Sequence, residues 1–347
     1  MRSEAVLFLG LLLAGCGGSD ESGSPSSGGS GGAGGSGGTA GMAGAAGGGG
    51  VAGAAGSGGG VSSLPAKPSN GCTLGGAPGT GSGTRTLSFG GVDRSYELHV
   101  PTSYDPTKPA PLVMNFHGRT ASSFGPAAPA QEAVSKLNEK GDAEGFFVIN
   151  PQGITDSDGY QTWNAGLCCA EDKTRDDVGF ADAILDEVEA EFCLDTARIY
   201  AAGLSNGGFM SHRLACEKSE RYAAVAPVAA FNGMTTCDPA RGITLVSFNG
   251  TTDPLVPYNQ AVPSNADWVS RLGCDATPKE TFKNGDSSCN TWTGCKDGAE
   301  IVLCTVEGGG HTWPGGLDLS SLGFGKTTQD MSANDVMWEV FQRHALP

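Results

Sequence analysis

A serine flanked by glycines, at the centre of the segment 203–207, is the residue in this chain best suited to nucleophilic chemistry. A short run with β-formers, 197–202, precedes it, and residues 208–216 have the pattern of a helix. A serine on a tight turn between strand and helix projects from the sheet, and its glycines tolerate the strained and crowded backbone. The N–H after the serine opens toward the helix amino terminus, where negative charge is stabilised. We therefore predict that Ser205 is the nucleophile of an esterase or a peptidase.

The pentapeptide pattern is weak without its surroundings, because the chain is rich in glycine. The same G-x-S-x-G spacing occurs at 28–32 and at 34–38, both inside a low-complexity stretch. Only the third occurrence has a predicted strand before it and a predicted helix after it, as the motif requires. The prediction therefore depends on this context.

A serine nucleophile needs a neighbouring base, usually a histidine that a carboxylate holds in place. In the usual order of such enzymes, the acid and then the histidine follow the serine. Among the five histidines, this order and the predicted helices exclude four: His99, His117, His212 and His344. His311 remains, in a glycine-rich segment directly after a predicted strand, and we predict that it is the base. The alternative is a glycine-rich turn in which His311 forms only local hydrogen bonds.

Asp253 is the predicted acid, since it follows the predicted strand 243–249 and could hold the second ring nitrogen of the histidine. The alternative for Asp253 is an ordinary turn residue before proline. Four other aspartates lack a clear strand end before them: Asp238, Asp267, Asp275 and Asp286.

Two backbone N–H groups should bind the oxyanion that forms when the serine attacks. Asn206, directly after the nucleophile, supplies one. The second should come from the loop that follows the predicted strand 112–116. We choose Arg119, with the next residue, Thr120, as the alternative. We expect His117 to shape this loop.

The elements that position these residues alternate between strands and helices. This alternation predicts an α/β fold, with a mainly parallel sheet covered by helices on both faces and the active site at the carboxyl ends of the strands. The predicted strands are 84–89, 95–100, 111–116, 146–150, 198–202, 223–228, 243–249 and 301–306, and glycines 90 and 91 form the turn of the first hairpin. The predicted helices are 127–137, 176–192, the helix after Ser205, and 333–344.

The amino-terminal part of the chain has the composition of an export signal and a tether. Residues 1–16 resemble a lipoprotein-type signal peptide that ends in a lipobox cysteine, Cys16; an ordinary signal peptide with a chance cysteine is the alternative. Residues 17–60, mostly Gly, Ala and Ser, are predicted to be a disordered tether. Residues 61–347 are long enough for one catalytic domain.

Charge and cysteine content narrow the possible partners. A net charge of -16 argues against nucleic acid and anionic membranes as partners. Without Cys16, ten of the eleven cysteines remain, which favours up to five disulfides in an oxidising compartment. The sequence contains no paired C-x-x-C spacing of the kind that indicates a metal site. We expect Cys168 and Cys169 to pair with two different partners; the sequence leaves the connectivity open.

With these residues identified, the domain resembles the secreted polyhydroxybutyrate depolymerase-like proteins and feruloyl esterases. The resemblance implies an α/β-hydrolase fold, a triad of Ser205, Asp253 and His311, and no cofactor. The matching stretches are 116–118, 163–169, 176–180, 203–210, 250–258 and 308–316.

The resemblance fits two substrates, the hydroxycinnamate esters of plant polysaccharide and polyhydroxybutyrate-type polyesters. We favour a feruloyl esterase, in which Trp163 and Trp313 stack on an aromatic acyl group; packing in the protein is the alternative for both rings. We expect an extracellular or cell-surface monomer that meets a membrane only through its lipidated amino terminus. A non-catalytic surface-binding lipoprotein is the alternative from another class, and the complete triad argues against it.

Overall fold

The predicted sheet is present, and it is larger than the sequence indicates. The structure is a computed structural model that describes residues 62–74 and 83–347; the predicted signal peptide, Cys16 and the tether lie outside these residues. Its strands are β1 (Gly83–Phe89), β2 (Val92–His99), β3 (Ala110–Phe116), β4 (Thr120–Ala121), β5 (Phe147–Pro151), β6 (Ile154–Thr155), β7 (Tyr160–Thr162), β8 (Asn164–Ala165), β9 (Cys168–Cys169), β10 (Leu194–Leu204), β11 (Ala224–Val228), β12 (Thr244–Gly250), β13 (Lys279–Asn284), β14 (Ser287–Trp292) and β15 (Ile301–Val306). Its helices are α1 (Ala127–Ser135), α2 (Leu137–Glu144), α3 (Asp177–Glu191), α4 (Asn206–Glu217), α5 (Tyr258–Arg271) and α6 (Ala333–Phe341).

Ten of these strands form one sheet, in the order β1-β2-β5-β3-β10-β11-β12-β15-β14-β13. Neighbours from β5 to β15 run parallel, whereas the outer strands on both sides pair antiparallel. The carboxyl ends of the parallel strands therefore meet along one border of the sheet, which we call the carboxyl edge. The prediction of a mainly parallel sheet is confirmed.

Side chains of the central strands alternate between two cores, one on each face of the sheet. On β10, Ile199 packs into one core and Tyr200 into the other. Helices α3, α4 and α5 cover the first face, and α1, α2 and α6 cover the second. Helices on both faces are thus confirmed.

Where apolar runs are flanked by turn residues, the predicted elements are close to those observed. Helix α3 has Asp176 as its N-cap, whose side chain accepts the N–H of Gly179 at 2.7 Å. The hairpin between β1 and β2 turns at Gly90 and Gly91, whose φ angles are 64° and 82°. Two positive φ angles are the geometry of a tight hairpin turn that favours glycine.

Helix α5 and the β13–β14 hairpin were not predicted. Strand β13 is almost wholly exposed and polar, so it lacks the alternation that signals a strand. Helix α5 contains Pro263, and prolines usually mark breaks in helical patterns. Both elements depend on packing against the rest of the fold, which local patterns do not show.

The disulfide content is confirmed, but one predicted pairing is wrong. Cys168 and Cys169 pair with each other and not with separate partners, because the fold pairs the other eight cysteines among themselves. Those pairs are Cys72–Cys193, Cys216–Cys237, Cys274–Cys295 and Cys289–Cys304. Among residues 62–74 and 83–347, no helix has the length and apolar composition needed to cross a membrane.

Candidate active site

Ser205 occupies a sharp turn between strand β10 and helix α4. Its φ and ψ angles are 54° and -120°, and a positive φ is strained for a residue with a side chain. The turn is held by hydrogen bonds on both sides: Ser205 N–H donates to the carbonyl of Val228, and Phe209 N–H donates to the carbonyl of Ser205, each at 2.9 Å. Strain at a serine between strand and helix is the geometry of a nucleophile turn.

Two glycines beside Ser205 are required by the close approach of β3. A Cβ atom on Gly207 would lie 2.0 Å from the carbonyl oxygen of Phe116. A Cβ atom on Gly203 would lie 2.8 Å from the same oxygen of Phe116 and 2.4 Å from the carbonyl carbon of Gly207. The end of β3 therefore packs directly on the turn, which brings the loop after β3 beside the serine.

Asp253 and His311 are in direct contact at the carboxyl edge. The distance from His311 Nδ1 to Asp253 Oδ2 is 2.8 Å, and each side chain is only 2% exposed. The other carboxylate oxygen accepts the N–H groups of Leu255 and Val256, both at 2.8 Å. Because an ionised carboxylate only accepts hydrogen bonds, Nδ1 carries the proton and Nε2 is the basic nitrogen of the ring.

The three predicted catalytic residues follow three strands of the same parallel group. Ser205 comes directly after β10, Asp253 lies in the loop after β12, and His311 lies in the loop after β15. Strand β11 separates β10 from β12, and β12 pairs with β15. The fold thus joins the acid to the base and places the serine at the same edge of the sheet.

Asn206 is fully buried at the start of α4, where the first N–H groups have no acceptor within the helix. Both polar atoms of its side chain form hydrogen bonds with Trp163. Asn206 Oδ1 accepts the N–H of Trp163 at 2.7 Å, and Asn206 Nδ2 donates to the carbonyl of Trp163 at 3.0 Å. The amide side chain therefore binds a loop, which leaves the backbone N–H as the group that could meet an oxyanion.

The loop after β3 carries Arg119 and Thr120, the two alternatives for the second oxyanion donor. The Arg119 guanidinium lies 3.6 Å from the centre of the Tyr160 ring and forms an ion pair with Asp158. Thr120 begins the short strand β4, which pairs with β7. The Arg119 side chain is thus occupied by β7 and its preceding turn, and its backbone is the part available for the site.

His117 is buried and neutral in this loop. Its Nε2 accepts the N–H of Gly153 at 2.8 Å, so Nδ1 carries the proton and donates to the carbonyl of Gly118 at 2.6 Å. Burial lowers the pKa of His117 to about 4, and the nearby Arg94 and Arg175 also favour the uncharged ring. These bonds fit the expected role of shaping the loop.

The structure corrects the expectation for the two tryptophans. Both indole rings are fully buried, so neither offers an open face on which an acyl group could stack. Trp163 packs against Phe116 and His117, and Trp313 donates from Nε1 to Asn334 Oδ1 at 2.9 Å. The alternative, packing inside the protein, is the one that the structure shows.

Sequence reasoning also missed a buried ionic cluster beside the site. Asp177 is fully buried and forms an ion pair with Arg94, at 2.8 Å from Nη2. Its other carboxylate oxygen accepts from Arg175 Nε at 3.1 Å and from the N–H of Asn164 at 2.7 Å. From the sequence, the aspartates at 176 and 177 were only the start of a predicted helix and part of a matching stretch. A buried carboxylate needs such partners, because an unpaired one is costly. In the part of the chain that the structure describes, no group of His, Cys, Asp and Glu could hold a metal ion.

Comparisons with known proteins show the family of the chain. Residues 90–308 match the profile of the family described as putative esterase. Feruloyl esterase B of Piromyces equi is 32% identical over 239 residues, which are 63% of this chain and 42% of that protein. Feruloyl esterase C of Emericella nidulans is 28% identical over 274 residues, which are 77% of this chain and 92% of that protein. This chain therefore spans less than half of the first relative and almost all of the second.

A solved structure shares the fold. The acetyl xylan esterase from Aspergillus awamori superposes with a TM-score of 0.54 at 15% identity, over 75% of this chain and 99% of that one. The expected α/β-hydrolase fold is therefore confirmed.

Proposed function

The chain belongs to the putative esterase family and is an ester hydrolase, and from this premise we propose that it is an exported serine esterase with Ser205 as its nucleophile. His311 is the general base and Asp253 orients it. The N–H groups of Asn206 and Arg119 bind the oxyanion. The observation that carries this proposal is the buried 2.8 Å contact between Asp253 and His311, at the same edge of the sheet as the strained Ser205.

The reaction proceeds in two halves through an acyl-enzyme. Ser205 Oγ attacks the ester carbonyl while His311 Nε2 takes its proton, and the carbonyl oxygen becomes an oxyanion. Collapse of this intermediate breaks the ester C–O bond, and the leaving alcohol receives the proton from His311. Water then attacks the acyl-enzyme with His311 again as base, and the acid is released. Each oxyanion donor contributes about 3 kcal/mol to the stability of the transition state.

The proposed substrates are hydroxycinnamate esters of plant polysaccharide. The support comes from the relatives, since two named feruloyl esterases match over 63% and 77% of this chain. A bifunctional acetylxylan esterase/xylanase of Neocallimastix patriciarum also matches, at 24% identity. All three names refer to esters of plant cell-wall components, which favours this class over a polyester.

We propose that the enzyme works outside the cytoplasm as a lipid-anchored monomer. Five disulfides among the described residues favour an oxidising compartment. The lipobox at Cys16 supports attachment to a membrane, and the tether 17–60 would separate the catalytic domain from it.

The Ser205→Ala variant tests the nucleophile. It should lower kcat for p-nitrophenyl acetate by about 10⁴-fold or more, because removal of a triad nucleophile leaves only binding and the oxyanion hole. Ser270→Ala, at an exposed serine on α5, is the matched control and should retain full activity. Unchanged hydrolysis by the Ser205 variant would refute the serine mechanism.

A substrate panel tests the acyl group. The value of kcat/KM should be higher for methyl ferulate than for hydroxybutyrate oligomers. A clear preference for the oligomers would replace the feruloyl proposal by the polyester alternative, and a preference for acetylated xylan would replace it by an acetyl esterase.

A further inference from the structure

We propose that Trp163 is the positioning residue of the oxyanion hole, and that it fixes the separation between the start of α4 and the loop after β3, the two donor segments. This inference rests on the proposed function, in which the N–H groups of Asn206 and of the loop after β3 bind the oxyanion. Trp163 contacts both of these structures, although it is remote from them in sequence.

The main chain of Trp163 holds the Asn206 side of the site. Its N–H and its carbonyl form a pair of hydrogen bonds with the two polar atoms of the Asn206 amide, at 2.7 and 3.0 Å. Asn206 is fully buried, so water does not compete for this pair. The first residue of α4 is therefore locked to the loop before β8.

The side chain of Trp163 holds the other side. Its indole Nε1 donates to the carbonyl of His117 at 3.0 Å. The indole also packs against the His117 ring, at 4.8 Å between ring centres, and meets Phe116 edge-on at 5.2 Å. His117, which precedes Gly118 and Arg119, therefore contacts the same tryptophan that is hydrogen-bonded to Asn206.

Trp163 is itself held in place from the opposite direction. Asp177 accepts the N–H of Asn164 at 2.7 Å, and Arg175 Nη2 donates to the carbonyl of Thr162 at 3.0 Å. Both neighbours of Trp163 are therefore bound to the buried ionic cluster. The bridge between the two donor loops has a rigid support, so its length is defined by the fold.

This rigidity matters because the donors must lie within a narrow range of the oxyanion, about 2.7–3.1 Å. A displacement of about 1 Å at such a site costs about 10²-fold in rate. Substrate binding does not depend on the distance between the donors and the oxyanion, since the oxyanion forms only in the transition state. Loss of the bridge should therefore lower kcat and leave KM unchanged.

The Trp163→Phe variant breaks the indole hydrogen bond and keeps an aromatic ring in the core. We expect kcat for methyl ferulate to fall about tenfold at unchanged KM, somewhat less than the 10²-fold or larger loss of a whole donor. Affinity for phenylboronic acid, which forms a tetrahedral adduct on the serine, should fall by a similar factor. Affinity for ferulate, the product, should not change.

Trp268→Phe is the matched control. Trp268, on helix α5, is also fully buried, and its Nε1 donates at 3.2 Å to Nδ1 of His212, which lies on α4 beyond the first turn that carries Asn206. The two variants should lower Tm comparably, but only Trp163→Phe should change kcat and boronate affinity. If Trp163→Phe lowers Tm and keeps both values, Trp163 has a packing role only and the inference is wrong.

A second variant, Asn206→Ala, cuts the other end of the bridge and leaves its own backbone N–H in place. It should also lower kcat about tenfold at constant KM, and it provides the test should Trp163→Phe not fold. Because each change breaks the same bridge at a different end, the double variant should lose little more than the worse single variant. Full additivity of the two losses in kcat would contradict the bridge. Activity in Ser205→Ala would instead refute the proposed function on which this inference rests.

Discussion

The two sides of Ser205 are built by different means. On one side, the proposed acid and base, Asp253 and His311, meet through their own side chains at 2.8 Å. On the other side, the proposed oxyanion donors are backbone N–H groups, and we propose that Trp163 positions them through its hydrogen bonds to Asn206 and His117. Residues that perform proton transfer are therefore distinct from residues that fix geometry, and the two sides should respond differently to substitution.

The acid–base side should give the largest effect on catalysis. Asp253→Asn keeps the size of the side chain, but its amide can donate to His311 Nδ1 and so favours the wrong tautomer. We expect kcat to fall about 10⁴-fold with little change in KM. The measurement is steady-state hydrolysis of p-nitrophenyl acetate at neutral pH.

Asp267→Asn is the control for this substitution. Asp267 is an exposed carboxylate on α5 that pairs with Arg271 four residues on, and its loss should leave kcat unchanged. A fall of less than about tenfold in the Asp253 variant would show that another group orients His311, and the division between the two sides would then need revision.

The acid–base side was also the side that the sequence could predict. The chain has only five histidines, and the order of the residues together with the predicted strand ends selected His311 and Asp253. The oxyanion side gave no such signal. Trp163 was expected to stack on an acyl group, and the loop after β3 left the choice between Arg119 and Thr120 open.

The same distinction applies to the fold. The central strands were predictable because they are continuous apolar runs that become buried on both faces. Strand β13 and helix α5 were not, since one is polar and exposed and the other contains Pro263. The pairing of Cys168 with Cys169 likewise depends on where the other cysteines lie in three dimensions.

The oxyanion side should also give the protein a dependence of stability on pH. Burial lowers the pKa of His117 from its usual value near 6.5 to about 4, so between these values the unfolded chain binds the proton and the folded chain does not. This contribution is fully present above about pH 6.5 and is lost as pH falls toward 4. Its size is on the order of 3 kcal/mol.

Urea unfolding of the wild type and of His117→Gln, at pH 7 and at pH 4.5, measures this contribution. The glutamine does not titrate, so the free energy of unfolding should fall less in the variant between the two pH values. Burial also lowers the pKa of His212, to about 3, so His212 contributes a part of the pH dependence of stability that is the same in both proteins. Equal losses in the two proteins would show that His117 is not the neutral, buried group described above.

The smallest effect should come from the side chain of Arg119. Arg119→Ala removes the contact with Tyr160 and the ion pair with Asp158 but keeps the backbone N–H. Such partly exposed contacts are worth about 1 kcal/mol or less, so kcat should stay within about threefold of the wild type. Thr120→Ala, one residue on, also keeps its N–H and should behave alike in the same kinetic assay. A loss of 10²-fold in Arg119→Ala would mean that the guanidinium itself acts on the substrate. The oxyanion side would then depend on side-chain chemistry just as the acid–base side does.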